Sequence, residues 1–148
     1  MEAKVTHILV IHGPNLNLLG EREPEIYGRM TLDQINQELL ALGQSLGVDV
    51  IALHSNHEGE IIDIIHRESV DCAGLIINAG AYSHSSYAIR DAISATGIRT
   101  IEVHLSNVFA REEFRKQSVI APVCLGQVVG LGPDSYRAAL RWFADHKE

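Results

Sequence analysis

Lysine, cysteine and long apolar runs are scarce in this chain. Only Lys4, Lys116 and Lys147 carry an amine side chain, and the net charge is -7 at pH 7. Without a basic run there is no field to attract nucleic acid or an anionic membrane surface, so neither is an expected partner. The lysines also fall away from the strand ends where a desolvated amine would serve Schiff-base chemistry. The two cysteines, Cys72 and Cys124, lie at or in apolar stretches without metal-type spacing and are expected as reduced core thiols. No apolar run approaches the roughly eighteen residues of a membrane span, and the N-terminal apolar run ends at His-Gly-Pro rather than at a small-residue cleavage site. A cytoplasmic chain is expected. GxGxxG after the first strand, GxxxxGK[ST] and GxSxG are all absent, which leaves dinucleotide, nucleoside-triphosphate and serine-elbow chemistry unsupported.

What is present is a 46% hydrophobic chain of 148 residues, suited to a single catalytic domain over 1–148. Apolar runs alternate with helical patterns throughout. Strands are expected at Val5–Ile11, Val48–His54, Ala73–Ile77, Thr100–Leu105 and Val123–Val129. Helices are expected from Thr31 to Gly47, from about Glu60 to Ser69 and from about Ser83 to Thr96. A short helical piece at Arg111–Gln117 and a last helix opened by Pro133-Asp134 complete the set. Thr31 and Gln34 have capping-box spacing. Five such units predict an α/β, flavodoxin-like, doubly wound five-stranded parallel sheet in the order 2-1-3-4-5, with helices on both faces.

Ligands of such sheets sit outside the carboxyl ends of the strands, where Asn15, Asn78, His104, Leu105 and Ser106 fall. Two anomalies point to the same place. The connection from Gly13 to Thr31 far exceeds the about two to six residues usual between a strand and a helix. Its Leu16, Leu18, Leu19 and Ile26 want a surface to cover, so it reads as a lid, with Gly13-Pro14-Asn15 fixed and Leu16 to Tyr27 movable. In the fourth strand Glu102, His104 and Ser106 alternate with Ile101, Val103 and Leu105, which puts three polar side chains on one face. Burying them unpaired would be unfavourable, so partners are required.

Tyr27 can act as a base only if neighbouring cations lower a phenol pKa near 10, and Arg22, Arg111 and Arg115 are the candidates. The alternative is an ordinary surface tyrosine. His104, between Glu102 and Ser106, can be oriented as a proton donor or can be a satisfied structural histidine. His84, Tyr87 and Asp91 fall near one helix face, with His84 expected in the first turn; a solvated face is the alternative. Asn15 and Asn78 can bind a polar ligand or close turns. His54 and His57 lack a further metal ligand at suitable spacing.

GPNLNLLG with REPEIYG, then NAGAYSHSS, EVHLSN, AREEFRKQS and VVGLG follow one another in order along nearly the whole chain. In these motifs the chain resembles the type II 3-dehydroquinate dehydratases. The resemblance implies a homododecamer built from trimers that converts 3-dehydroquinate to 3-dehydroshikimate and water, without a metal or organic cofactor. It implies Tyr27 as base, Arg22 as lid arginine, His104 as general acid and Asn15 as holder of a water facing the enolate. Glu102 and Arg111 match supporting positions. Asn78, His84, Asp91, Leu105, Ser106 and Arg115 match the substrate-binding set. His12 departs from the Asn that many relatives carry before Gly-Pro-Asn, and the resemblance assigns it no role.

Overall fold

The computed structural model describes residues 5–147. Five parallel strands, β1 (Thr6–His12), β2 (Val48–His54), β3 (Gly74–Asn78), β4 (Thr100–His104) and β5 (Gly126–Val129), form one sheet in the order β2-β1-β3-β4-β5, as expected. The helices are α1 (Pro24–Tyr27), α2 (Leu32–Leu46), α3 (Glu58–Glu68), α4 (Tyr87–Thr96) and α5 (Asp134–Asp145). Side-chain alternation along the strands divides the core in two. Ile8, Val10 and Ile76 face α2 and α5, where Leu39, Tyr136, Leu140 and Phe143 are buried. Leu9, Ile11, Leu75 and Ile77 face α3 and α4, against Ile61, Ile65, Ile89 and Ile93. Each of these side chains stabilises the fold by about 1.5–3 kcal/mol when fully withdrawn from water.

Local signals in the sequence set α2. Thr31 Oγ1 accepts from Gln34 N–H at 3.2 Å and Gln34 Oε1 accepts from Thr31 N–H at 2.9 Å, a complete capping box. Gly47 ends the helix in the left-handed conformation. Two expected elements are shorter than the apolar pattern implied. The fifth strand begins at Gly126, because Ala121-Pro122-Val123 forms a 3-10 turn in which the Val123 and Cys124 amides are already engaged with the Ile120 and Ala121 carbonyls. The helix expected from Ser83 is split: Gly80–His84 is a 3-10 turn, and α4 starts only after Ser86, whose Oγ accepts from Ile89 N–H at 3.0 Å. His84 therefore lies outside the first turn of α4, and the N-terminal field of that helix is not aimed through it.

The strand ends are pinned together under the long loop. Gly13 N–H donates to the Asn78 carbonyl at 2.7 Å, and a Cβ on Gly13 would lie 2.6 Å from the Ala79 backbone. Only glycine allows β1 and β3 to exit this closely. Beyond Asn15 the loop is divided differently from the expected lid. Leu16 and Leu19 are 7% and 4% exposed and pack into the α2/α5 core, so the turn Leu16–Leu18 is anchored. The outward part runs from Gly20 to Arg29. Its two ends converge, since a Cβ on Gly20 would sit 3.0 Å from the Arg29 carbonyl oxygen, and Gly20 has a φ of 90°. A compact excursion with adjacent ends is the geometry of an Ω-loop.

Candidate active site

Each strand end supplies one fixed group. At β1, Asn15 adopts the left-handed conformation with φ 70°, and its N–H donates to Asn56 Oδ1 at 2.9 Å. At β3, Asn78 Oδ1 accepts from Gly80 N–H at 3.1 Å. At β4, Glu102 is fully buried and both of its oxygens are engaged. His104 Nε2–H donates to Oε2 at 2.5 Å, and Ser118 Oγ–H donates to Oε1 at 2.7 Å. These are the partners that a buried carboxylate requires. With Nε2–H held by Glu102, the His104 ring has one orientation.

Above the strand ends, two guanidinium groups approach the Tyr27 ring. Arg22 Cζ is 5.3 Å and Arg111 Cζ 5.1 Å from its centroid, both within cation–π range. Arg111 also donates to Ser106 Oγ at 3.3 Å, which ties the loop tyrosine to the β4 end through one side chain. Arg115, the other candidate neighbour, instead stacks on Phe114 at 4.6 Å and donates to Glu112 Oε1 at 3.1 Å. That bond, with help from the nearby backbone, holds the Glu112 carboxyl below its ordinary value. His84 Nδ1–H donates to the Gln117 carbonyl at 2.6 Å. Its ring stacks near that of His104, with centroids 6.3 Å apart.

One pocket gathers nearly all the expected residues. Asn15, Arg22, Tyr27, Asn78, His84 and His104 line it, and Leu105, Ser106, Arg111 and Arg115 close its far side. Glu102 sits behind His104 and touches the pocket only through it. Asp91 is the exception. It lies on the exposed side of α4 and does not line the pocket of its own chain, because α4 begins after Ser86 and turns Asp91 outward. Among the described residues there is no group of three or more His, Cys, Asp or Glu side chains that could hold a metal ion.

The family model of class II dehydroquinases matches residues 6–144. The chain belongs to the class II dehydroquinases. It is 55% identical over 134 residues to a 3-dehydroquinate dehydratase of Pelotomaculum thermopropionicum, covering 90% of this chain and 93% of that one. It is 52% identical to the 3-dehydroquinate dehydratase of Bacillus subtilis, with 92% of each chain covered. The crystal structure of type II dehydroquinase from Propionibacterium acnes superposes with a TM-score of 0.91 at 41% identity, covering 96% of this chain and 99% of that one.

In this class II dehydroquinase several groups that support the pocket were not singled out by sequence. Asn56 holds the strained Asn15, and Tyr82 Oη–H donates to the Asn56 carbonyl at 3.0 Å. Ser118 completes the pairing of Glu102, and Gln117 orients His84. The visible signals were faint: Asn56 belongs to the His-rich HSNH stretch, and Ser118 ends AREEFRKQS. His12, Asn36 and Tyr136 form a buried polar group behind Asn78 that no local pattern announces. Both cysteines are free and only partly buried; burial raises the Cys72 thiol to about 11 and the Cys124 thiol to about 12, so neither supplies a nucleophile here.

Proposed function

We propose that this chain, acting as one catalytic domain, dehydrates 3-dehydroquinate to 3-dehydroshikimate and water through an enolate. Tyr27 is the base and His104 the acid in this reading. The observation that carries it is the pairing of a phenol flanked by two guanidinium groups with a histidine braced by a buried carboxylate in one pocket. Positive charge close to a phenol favours negative charge on its oxygen. Tyr27 phenolate removes a proton from the carbon beside the ketone, and the electron pair moves into the carbonyl to give the enolate. Asn15 helps to hold a water facing that oxygen. Collapse of the enolate expels the hydroxyl, which leaves as water with the proton from His104. Each of these proton transfers is typically worth about a hundred- to ten-thousand-fold in rate.

Binding follows from the remaining donors. The substrate carboxylate is assigned to the Leu105-Ser106 turn and Asn78, and the ring hydroxyls to His84 and Arg115. The pocket between these side chains is partly open to solvent, and in this reading the Gly20–Arg29 segment moves aside to admit the ring acid. The Asp91 role implied by family resemblance requires a neighbouring chain, which agrees with assembly into a homododecamer built from trimers. Light scattering on the 16.3 kDa subunit tests that assembly directly; a monomer in solution would remove Asp91 from the site. The activity itself is tested by mixing pure protein with 3-dehydroquinate and following enone absorbance. Absence of a signal at micromolar protein would overturn the dehydratase reading.

A further inference from the structure

His12 is buried without exposure, yet the proposed reaction does not use it. It pairs with Asn78 in the β1–β3 register, so both side chains rise on the α2/α5 face of the sheet. Tyr136, also without exposure, descends from α5 onto the same spot. His12 Nδ1 is 2.8 Å from Tyr136 Oη, and His12 Nε2 is 2.7 Å from Asn36 Oδ1. The Asn78 amide lies beside the Tyr136 hydroxyl, where it favours negative charge on the phenol oxygen. These contacts join four side chains from β1, α2, α5 and β3.

The donors and acceptors in this group fit only one direction. Burial lowers the His12 ring to about 4, so it is neutral with one donor nitrogen and one acceptor nitrogen. The Asn36 oxygen faces Nε2, which therefore carries the hydrogen. Nδ1 then accepts, and the single hydrogen of Tyr136 is committed to it. The phenol oxygen is left as an acceptor for the Asn78 amide beside it, which has N–H groups to offer. Asn78 Oδ1 is already taken by Gly80 N–H at 3.1 Å, which agrees with that orientation. Turning the amide over would set its oxygen against a phenol with no hydrogen to give, and its NH2 against the Gly80 N–H. Both contacts would become mismatched.

We propose that His12 and Tyr136 are positioning residues, forming a one-way hydrogen-bond chain that keeps the Asn78 amide turned with an N–H toward the pocket. The pocket at Asn78 thereby accepts a substrate oxygen with free lone pairs, a carboxylate or an unprotonated oxygen, and rejects a donor. This rests on the substrate-binding role given to Asn78 in the dehydratase reading.

Two measurements test it. Nitrogen-15 spectra of the intact protein should show His12 with Nε2 protonated and Nδ1 bare at neutral pH. A protonated Nδ1 would overturn the chain whether or not the protein turns over substrate. In kinetics, Tyr136→Phe should raise KM for 3-dehydroquinate about tenfold with kcat changed less than about threefold, the split expected for lost binding. In an Asn78→Ala background the same substitution should leave KM within about twofold, because its effect passes through Asn78. An equal rise in both backgrounds would make Tyr136 merely structural and sink the proposal. Should Tyr136→Phe fail to fold, the ring-nitrogen spectrum still decides. A wild-type protein without turnover would count against the dehydratase reading alone, since the spectrum is read without substrate.

Discussion

The proposed base and acid sit in opposite physical settings. Tyr27 rides on the Gly20–Arg29 excursion, where its neighbours Ile26 and Arg22 are exposed; half-buried itself, it packs on the edge of the core and meets two guanidinium groups. The Arg22 pair is exposed and worth about 0.5–1 kcal/mol, whereas the Arg111 side chain is largely withdrawn from water. His104 ends a central strand, is 7% exposed and is held by a buried carboxylate whose other oxygen is also paired. The floor of the site is therefore organised by the fold, while Tyr27 is carried over it by the long loop. In the proposed reaction the loop half moves to admit substrate and the strand half does not.

If that division is right, lid substitutions change turnover without changing stability, and floor substitutions change both. Tyr27→Phe should give the largest effect, a loss of about a thousandfold or more in kcat, with stability within about 0.5 kcal/mol of the parent by urea denaturation. Retention of a tenth of the parental rate would show that another residue is the base. His104→Ala should lower dehydration by about a hundred- to a thousandfold. Exchange of the abstracted proton with solvent deuterium should survive, because Tyr27 remains. If exchange stops as well, the two roles are not separable.

Two smaller effects probe the floor and the lid in turn. His12 is lowered from 6.5 to about 4, chiefly by burial and further by the His54 charge, against an opposing contribution from Asn36. Between those values the unfolded chain binds a proton that the folded chain refuses, so stability is full above pH 6.5 and falls as pH drops toward 4. From pH 7 to pH 5 this amounts to about 2 kcal/mol. Denaturation curves at the two values should show that loss, and His12→Asn should flatten it; an unchanged slope would mean that His12 is not the group responsible. Arg22→Ala should lower kcat about tenfold at neutral pH, since one of two cations beside the base is gone. An unchanged kcat would leave Arg111 as the one arginine acting on Tyr27.

Much of this was legible in the residues. The alternation of apolar runs with helical patterns was sufficient for the strand order, and Thr31 with Gln34 marked the start of α2 correctly. The polar alternation Glu102, His104, Ser106 announced the β4 end, because a period of two puts all three on one face. Misreadings came where one residue overruled a pattern. Ser86 captures the first turn of α4 and leaves His84 and Asp91 on different sides of the cap. Pro122 delays β5, since a turn forms where the apolar pattern suggested a strand. Leu16 and Leu19 were read as part of the movable lid, but their side chains find space between α2 and the sheet.

The chain by itself determined where the strands end, which polar residues gather there, and that a long loop must cover them. Those are consequences of local periodicity and of turn and cap chemistry, which act over a few residues. Tertiary structure alone decided which two arginines approach Tyr27, where the lid begins, and that His12, Asn36, Tyr136 and Asn78 meet. His12 and Tyr136 lie 124 positions apart. Their contact exists because β1 and α5 bury a donor and an acceptor in the same small space, where each must satisfy the other.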